Sequence, residues 1–360
     1  MNATAASSFS CVHIVGCGLL GASMGLALTQ RGVTVTLQDG SPAAVDLATD
    51  YGAGRARTDA SLIPELVVVA TPPDVVGSVV TECLELFPEA TIIDVASVKK
   101  QVYSEIHGEI DRFVGTHPMA GRERGGAVAA RSDLFTGRPW VLCEGEESRR
   151  AGVREFVRQL GAIPIDMGAA EHDEAVALVS HLPQVVASLS ASRLDAASPE
   201  ALSLAGAGVR DVTRIAASDP ALWVQILSAN SGALLPHVKA LLSDLEQLVG
   251  ALEDVSAQGA KTTIASTLQR GVSGVASLPG KHGISSDLAS LLVVIDDTPG
   301  QLARLLTQLG DWGINLEDLR LEHSPGANIG FAELSVAKNV VGSMEQKLVD
   351  AGWKISGEKE

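Results

Sequence analysis

The sequence predicts an α/β domain with a mostly parallel sheet and helices on both faces, followed by an all-α domain and a small α+β module. Three observations carry this. Between residue 11 and about residue 167, short apolar runs alternate with amphipathic stretches, the pattern of repeated β-α-β units. From Ala169 to about Leu278 the strand-like runs vanish, and leucine, valine and alanine recur at helical spacing. After residue 288 the order β-α-β-β-α-β occupies about 70 residues, a ferredoxin-like unit. The expected domains are residues 10–168, 169–280 and 288–360.

The elements follow in order. Runs rich in Val, Ile, Leu and Thr at residues 12–15, 33–37, 66–71 and 91–95 read as strands. Shorter ones follow at 113–115, 140–143 and 163–166. Helices are expected at 22–30, 98–110 and 151–160, then at 174–195, 221–232 and 234–252. Residues 277–283, with Pro279 and two glycines, read as a linker. The last module has strands at 291–295, 315–321 and 330–336, with helices at 300–312 and 340–351.

Composition narrows the function classes. A chain of 360 residues exceeds one ordinary core, and 46% hydrophobic with 19% charged residues is the profile of a globular enzyme. Only 3% of residues are aromatic and the net charge is −16, which argues against nucleic-acid binding. Any anionic substrate therefore needs a few placed arginines. Cys11, Cys17, Cys83 and Cys143 are scattered, which fits a reducing cytoplasm and offers no metal framework. The first ten residues lack the features of a secretion signal. Residues 175–192 carry no formal charge, but His181, Pro183, Gln184 and several serines make them a poor membrane span. A buried helix is expected there.

The first motif is Gly16-Cys17-Gly18-Leu19-Leu20-Gly21, which follows an apolar run and opens a helix. Such a loop lets a pyrophosphate approach the backbone at Gly18 and rest on the N-terminal amides of the helix that Leu19 and Leu20 begin. Alone it is a weak signal. Here Asp39 ends the second strand, where a carboxylate binds the adenosine ribose and repels a 2′-phosphate. NAD is therefore the expected cofactor. The bland reading is a glycine turn beside a solvated aspartate. Ala70-Thr71-Pro72-Pro73 reads as the next crevice loop, with Thr71 and Pro72 walling the nicotinamide ribose.

A second motif is Thr116-His117-Pro118-Met119-Ala120-Gly121-Arg122-Glu123. An imidazole fixed beside a nicotinamide takes the proton of an alcohol while the ring takes the hydride, which points to an oxidoreductase. Pro118 fixes the backbone after His117 and Gly121 permits close approach; on residues alone, a structural histidine fits equally well.

Together with Gly208-Val209-Arg210-Asp211-Val212-Thr213-Arg214-Ile215-Ala216 and Ser180-His181-Leu182-Pro183, these blocks resemble the prephenate/arogenate dehydrogenase family of tyrosine biosynthesis. The resemblance covers about residues 10–280. It implies NAD-dependent oxidative decarboxylation of prephenate, with His117 taking the ring hydroxyl proton and Ser97 orienting that histidine. It implies that Arg214 binds the ring carboxylate, with Asp211 positioning it; a structural salt bridge between the two is the alternative. Ser180 and Glu123 then line the pocket, and Trp223 stands near the partner subunit's site in a homodimer. Chemically, hydride loss at C4 and loss of carbon dioxide aromatise the ring, so the protein need only supply a proton acceptor and a guanidinium fork for carboxylate.

Gln184 stands where prephenate-using relatives often carry a histidine facing the substrate side chain. A neutral amide suits a ketone or an ammonium, so arogenate is the alternative substrate. The final module resembles an ACT domain through Leu291-Leu292-Val293-Val294-Ile295-Asp296-Asp297-Thr298-Pro299-Gly300 and Trp312-Gly313-Ile314-Asn315. That resemblance implies feedback inhibition by tyrosine at Asp297, Gly300 and Asn315; a purely structural module is the alternative. Two other readings compete. A hydroxyacid dehydrogenase would use a lysine in the helical domain, yet none lies between Lys100 and Lys239. A non-catalytic NAD and amino-acid sensor would have lost the acceptor or the clamp, yet His117, Ser97 and Arg214 are present.

Overall fold

The computed structural model describes residues 9–108, 110–121, 125–278, 288–323 and 329–359. By contacts the chain divides into two compact units, residues 1–193 with 213–240, and residues 194–212 with 241–360.

The first unit is built on six parallel strands: β1 (Cys11–Val15), β2 (Thr34–Gln38), β3 (Arg55–Ala56), β4 (Leu66–Val69), β5 (Thr91–Asp94) and β6 (Phe113–Val114), in the order β3-β2-β1-β4-β5-β6. Central strands covered on both faces are mostly apolar, and β1 and β4 are buried at every position, with the one polar side chain, His13, bonded to Thr36 and Gln38. Side chains alternate between two cores. Leu66 and Val68 join α1 (Leu19–Thr29) through Met24 and Leu28, whereas Val67 and Val69 join α3 (Val76–Leu86) through Val76 and Val80. A short α2 (Pro42–Asp50) follows β2. The strand order reverses direction between β1 and β4, so a crevice opens at their carboxyl ends.

Beyond α4 (Lys100–Glu105) and β6, the chain forms a smaller three-stranded sheet from β7 (Thr116–Pro118), β8 (Pro139–Leu142) and β9 (Ile163–Asp166), crossed by α5 (Glu147–Gln159). The expected strands are present within a residue or two, and β7, which carries His117, was not anticipated. The helix expected at 98–110 is only α4, because Lys99 is consumed by tertiary contacts and Gly108 takes a left-handed φ of 92°. Helix α5 starts earlier than expected because the Glu146 carboxylate accepts the amides of Ser148 and Arg149.

Lys99 has no solvent exposure. Its ammonium pairs with Asp94 and donates to the Thr116 carbonyl at 2.7 Å. The other Asp94 oxygen accepts the Thr116 amide at 3.0 Å, and Thr116 Oγ1 donates to the Asp94 carbonyl at 2.5 Å. The end of β5 is thereby bolted to β7.

The long apolar stretch Ala169–Ser192 is one irregular helix: α6 (Ala169–Val176), a π-turn (Ala177–His181) and α7 (Leu182–Ser192). The wide turn precedes Pro183, which has no N–H for an i−4 carbonyl. The sequence leads to a buried helix here, and the structure buries only part of it. Leu178, Val179 and Leu189 are 51%, 62% and 57% exposed, while His172, Asp173 and His181 point inward. Polar groups face the core because they are hydrogen-bonded there. Residues 214–217 form a 3₁₀ turn before α10 (Pro220–Ala229), which Asp219 caps.

The second unit contains α8 (Pro199–Ser203), α9 (Ala207–Thr213, to residue 212), the later part of α11 (Ser231–Glu253) and α12 (Ala260–Ala276). Its sheet comprises β10 (Leu288–Asp296), β11 (Asp318–His323), β12 (Ile329–Ala337) and β13 (Lys354–Lys359) in the antiparallel order β11-β12-β10-β13. Helices α13 (Gln301–Asp311) and α14 (Lys338–Asp350) supply Leu305, Leu309, Met344 and Leu348 to a core with Leu291, Val293, Leu334 and Val336. This is the β-α-β-β-α-β order expected from the sequence. The linker expected at 277–283 lies outside the described residues from Pro279 onward.

Removing one partner of the Asp94–Lys99 pair strands a charge in a dry site. Lys99→Met is expected to cost about 3–5 kcal/mol in urea unfolding, and a loss below 1 kcal/mol would contradict the bolt.

Candidate active site

A cavity of about 1360 Å³ opens at the carboxyl ends of β1, β4 and β5. Its floor is the glycine loop. Gly16 has a φ of 107°, and a Cβ there would lie 2.4 Å from the Ala70 carbonyl oxygen. At Gly21 a Cβ would lie 1.9 Å from the Gly16 oxygen, so loop, helix and strand touch at backbone distance. Gly18 differs, since a Cβ there would meet no protein atom within 4 Å. That open space sits at the start of α1, whose first amides have no side-chain cap, which suits a pyrophosphate.

Asp39 follows β2 and accepts the Cys17 amide at 2.7 Å and the Ser41 amide at 2.8 Å, which fixes its carboxylate at the cavity edge. Thr71 and Pro72 line the opposite wall, and Thr71 Oγ1 is buried with no hydrogen-bond partner. An orphaned hydroxyl there fits a polar ligand group. Glycine loop, carboxylate and hydroxyl together fit NAD, and Gly16, Gly18, Leu19, Leu20, Asp39, Thr71 and Pro72 all line this cavity, with Gly21 packed beneath the loop.

His117 lines the same cavity, 9% exposed. Its Nδ1 lies 2.8 Å from His172 Nε2, and His172 Nδ1 lies 2.8 Å from Asp173 Oδ1. Asp173 also accepts the backbone amides of Lys99 and Lys100 at 2.8 and 2.9 Å. A carboxylate receiving two amides is an acceptor, so His172 donates to it from Nδ1. In the neutral pair, His172 Nε2 then accepts the proton on His117 Nδ1, and His117 Nε2 is left as the basic nitrogen. Burial, the neighbouring His172, then Lys99 and His181 hold the His117 pKa well below the ordinary histidine value. Burial alone would raise the Asp173 pKa, but the His172 hydrogen bond and the two amides outweigh it and bring it down.

Ser97 lines the cavity with His117, whose Nδ1 is held by His172. Ser180, Arg214 and Trp223 also line it. Gln184 does not. It is buried one turn further along α7 and reaches Ser188 at 3.5 Å, so the expectation that it faces the substrate is not met. Asp211 lies exposed on α9 in the second unit, and Glu123 lies outside the described residues. In the C-terminal sheet unit, Gly300 caps α13 with a φ of 91°, beside the turn holding Asp297. Asn315 donates to Glu317 at 3.3 Å.

Sequence reasoning missed His172, Asp173, His181 and Asn230. The available signal was polar residues on one face of an otherwise apolar helix, at 172, 173 and 181.

Comparison with known proteins agrees with this geometry. Residues 24–165 match the nucleotide-binding domain of prephenate dehydrogenase and residues 168–269 its dimerization domain. The chain is 32% identical over 354 residues to a probable prephenate dehydrogenase, NovF, of Streptomyces niveus, covering 94% of this chain and 98% of that one. The structure of prephenate dehydrogenase from Aquifex aeolicus with hydroxyphenyl propionate and NAD+ aligns with a TM-score of 0.65 at 25% identity, covering 75% of this chain and 99% of that one. Synechocystis arogenate dehydrogenase aligns with a TM-score of 0.60 at 25% identity, covering 73% and 99%.

The buried histidines make stability depend on pH. Burial, chiefly, lowers His13 and His181 to about 4, and His117 falls in the same direction. The unfolded chain then binds more protons than the folded one below about pH 6.5, so stability is complete above that value and is lost as pH falls toward 4. Unfolding free energies at pH 7.5 and pH 5.5 are expected to differ by about 2–4 kcal/mol, lower at pH 5.5. Equal values would contradict neutral burial.

Proposed function

The chain belongs to the prephenate dehydrogenase family, and from that membership and the cavity geometry we propose that it catalyses NAD-dependent oxidative decarboxylation of prephenate to 4-hydroxyphenylpyruvate in tyrosine biosynthesis. The observation that carries the reading is one cavity bounded by a dinucleotide loop, a neutral buried histidine and an arginine. When bound, NAD supplies the acceptor for the hydride leaving C4.

His117 Nε2 takes the proton of the 4-hydroxyl. The charge that arrives on the ring is shared with His172 through Nδ1–H and stabilised by the Asp173 carboxylate. Arg214 holds the ring carboxylate through its guanidinium fork, with Ser97 and Ser180 as neutral pocket walls. Trp223 adds an aromatic wall to the pocket, beside a partner copy in this reading. Arogenate is the alternative substrate in this reading, with Gln184 buried and 3.5 Å from Ser188.

The protein acts as a homodimer formed through residues 169–280, where Leu242, Leu245, Val249, Leu268 and Val272 are exposed apolar side chains. Its four cysteines are buried free thiols, which suits the cytoplasm. Residues 288–360 serve as an ACT domain that takes tyrosine at Asp297, Gly300 and Asn315. The α13 start offers backbone amides there to an amino-acid carboxylate.

Two measurements test this. NADH production is followed with prephenate and arogenate in parallel, and His117→Asn is expected to lower kcat by about 10²–10⁴-fold with the KM for NAD little changed. Turnover surviving within threefold would remove His117 as the base. Separately, free tyrosine is expected to lower the initial rate, with Asp297→Ala and Asn315→Ala relieving the inhibition. A rate indifferent to tyrosine would leave the module without that role.

A further inference from the structure

Asn230 ends α10 and is buried. Its Nδ2 lies 2.7 Å from the Asp173 carbonyl oxygen and 3.2 Å from His181 Nδ1. A peptide carbonyl only accepts, so the atom facing it must be the amide NH₂. The side chain is thus fixed in one orientation, and its second proton points at His181. His181 Nδ1 must therefore be the acceptor, which puts the imidazole proton on Nε2.

His181 closes the π-turn and lines the cavity beside Ser180 and Trp223, with its ring edge-on to the Trp223 indole at 6.0 Å. No described residue bonds to its Nε2. We propose that His181 is a specificity-determining hydrogen-bond donor of the cavity, presenting a neutral Nε2–H to a carboxylate or carbonyl oxygen of the bound acid, and that Asn230 is the positioning residue that sets this tautomer. The oxygen recognised belongs to the substrate's side chain, since Arg214 takes the ring carboxylate; this assignment rests on the function proposed above.

Three features support it. Among the described residues that line the cavity, Arg214 carries the one guanidinium, and its use on the ring carboxylate leaves the side-chain oxygen to a donor such as the His181 N–H. Burial keeps His181 uncharged, with Asp173 opposing and His172 reinforcing that effect. Finally, the same Asn230 NH₂ holds Asp173, the terminus of the His117 relay, so the donor and the base share one anchor.

The test compares Asn230→Asp with wild type. A carboxylate at 230 cannot donate to His181 Nδ1 and instead accepts from it, moving the proton off Nε2. The expected result is a KM for prephenate raised about tenfold, with the KM for NAD within twofold. Because Asn230→Asp also faces the Asp173 carbonyl and endangers folding, His181→Gln and His181→Leu form a second pair. Glutamine, which keeps an N–H, is expected to retain most of the prephenate affinity that leucine loses.

Nitrogen-15 NMR of the resting wild-type protein reads the tautomer without turnover, and is expected to show His181 protonated on Nε2. A proton on Nδ1, or a prephenate KM within twofold of wild type in both Asn230→Asp and His181→Leu, overturns the proposal. Wild-type protein that gives no NADH from prephenate overturns the proposed function instead, and the NMR result still decides the tautomer.

Discussion

A lysine cut off from water organises the catalytic end of this protein. Lys99 lies between the Asp94 carboxylate and the Thr116 carbonyl, and Asp94 answers with bonds to the Thr116 amide and hydroxyl. The amide and hydroxyl of Thr116 are thus committed to Asp94 at the end of β5 and its carbonyl to Lys99, leaving little freedom for the next residue, His117. Desolvating a lysine and an aspartate is costly, and the pair is tolerable only because every partner is satisfied. What the arrangement supplies is position. A base that must meet one hydroxyl proton beside a nicotinamide needs placement within a few tenths of an ångström.

The same residue ties that strand to the helical segment. The backbone amides of Lys99 and Lys100 hold the Asp173 carboxylate, which holds His172, which holds the His117 ring. His117 is therefore fixed twice, through its own backbone by Asp94 and Lys99, and through its imidazole by an element 55 residues away in sequence. This explains why residues 169–193 and 213–240 pack as one body with the nucleotide-binding sheet. A sequence pattern divides the chain where strands give way to helices. The folded protein divides it elsewhere, because the relay crosses that boundary.

Legibility in the sequence followed physical strength. Buried parallel strands such as β4 are continuous apolar runs and were readable, as were the glycine loop and Asp39, whose positions are set by backbone geometry close in sequence. The order of the C-terminal sheet was readable from alternating burial and turn residues. The relay was not, because His172 and Asp173 sit between Glu171 and Glu174 in α6, and nothing in that polar run says which side chains turn inward. Nor did the sequence reveal that His172 holds His117 Nδ1, or that Gln184 turns toward Ser188. Both depend on how one helix is rotated, and the π-turn before Pro183 sets that rotation. A π-turn leaves almost no trace in composition beyond the proline itself.

Catalysis and stability pull in opposite directions at these histidines. A general base must be unprotonated when substrate arrives, and burial among His172, Lys99 and His181 keeps His117 so. The same burial withholds protonation that the unfolded chain would accept freely, so each buried imidazole weakens the fold as the solution acidifies. His13 adds to that loss: burial inside β1, reinforced by Arg57, keeps it neutral against the opposing pull of its contacts to Gln38 and Thr36. The protein carries a net charge of −16, and a negative surface field offers an anionic substrate no long-range attraction. Recognition must then come from within the cavity, where the described lining offers the Arg214 guanidinium and neutral N–H and O–H donors. Neutral donors work there because the cavity wall shields them from competing water, and they keep His117 free of a second nearby cation that would lower its basicity further.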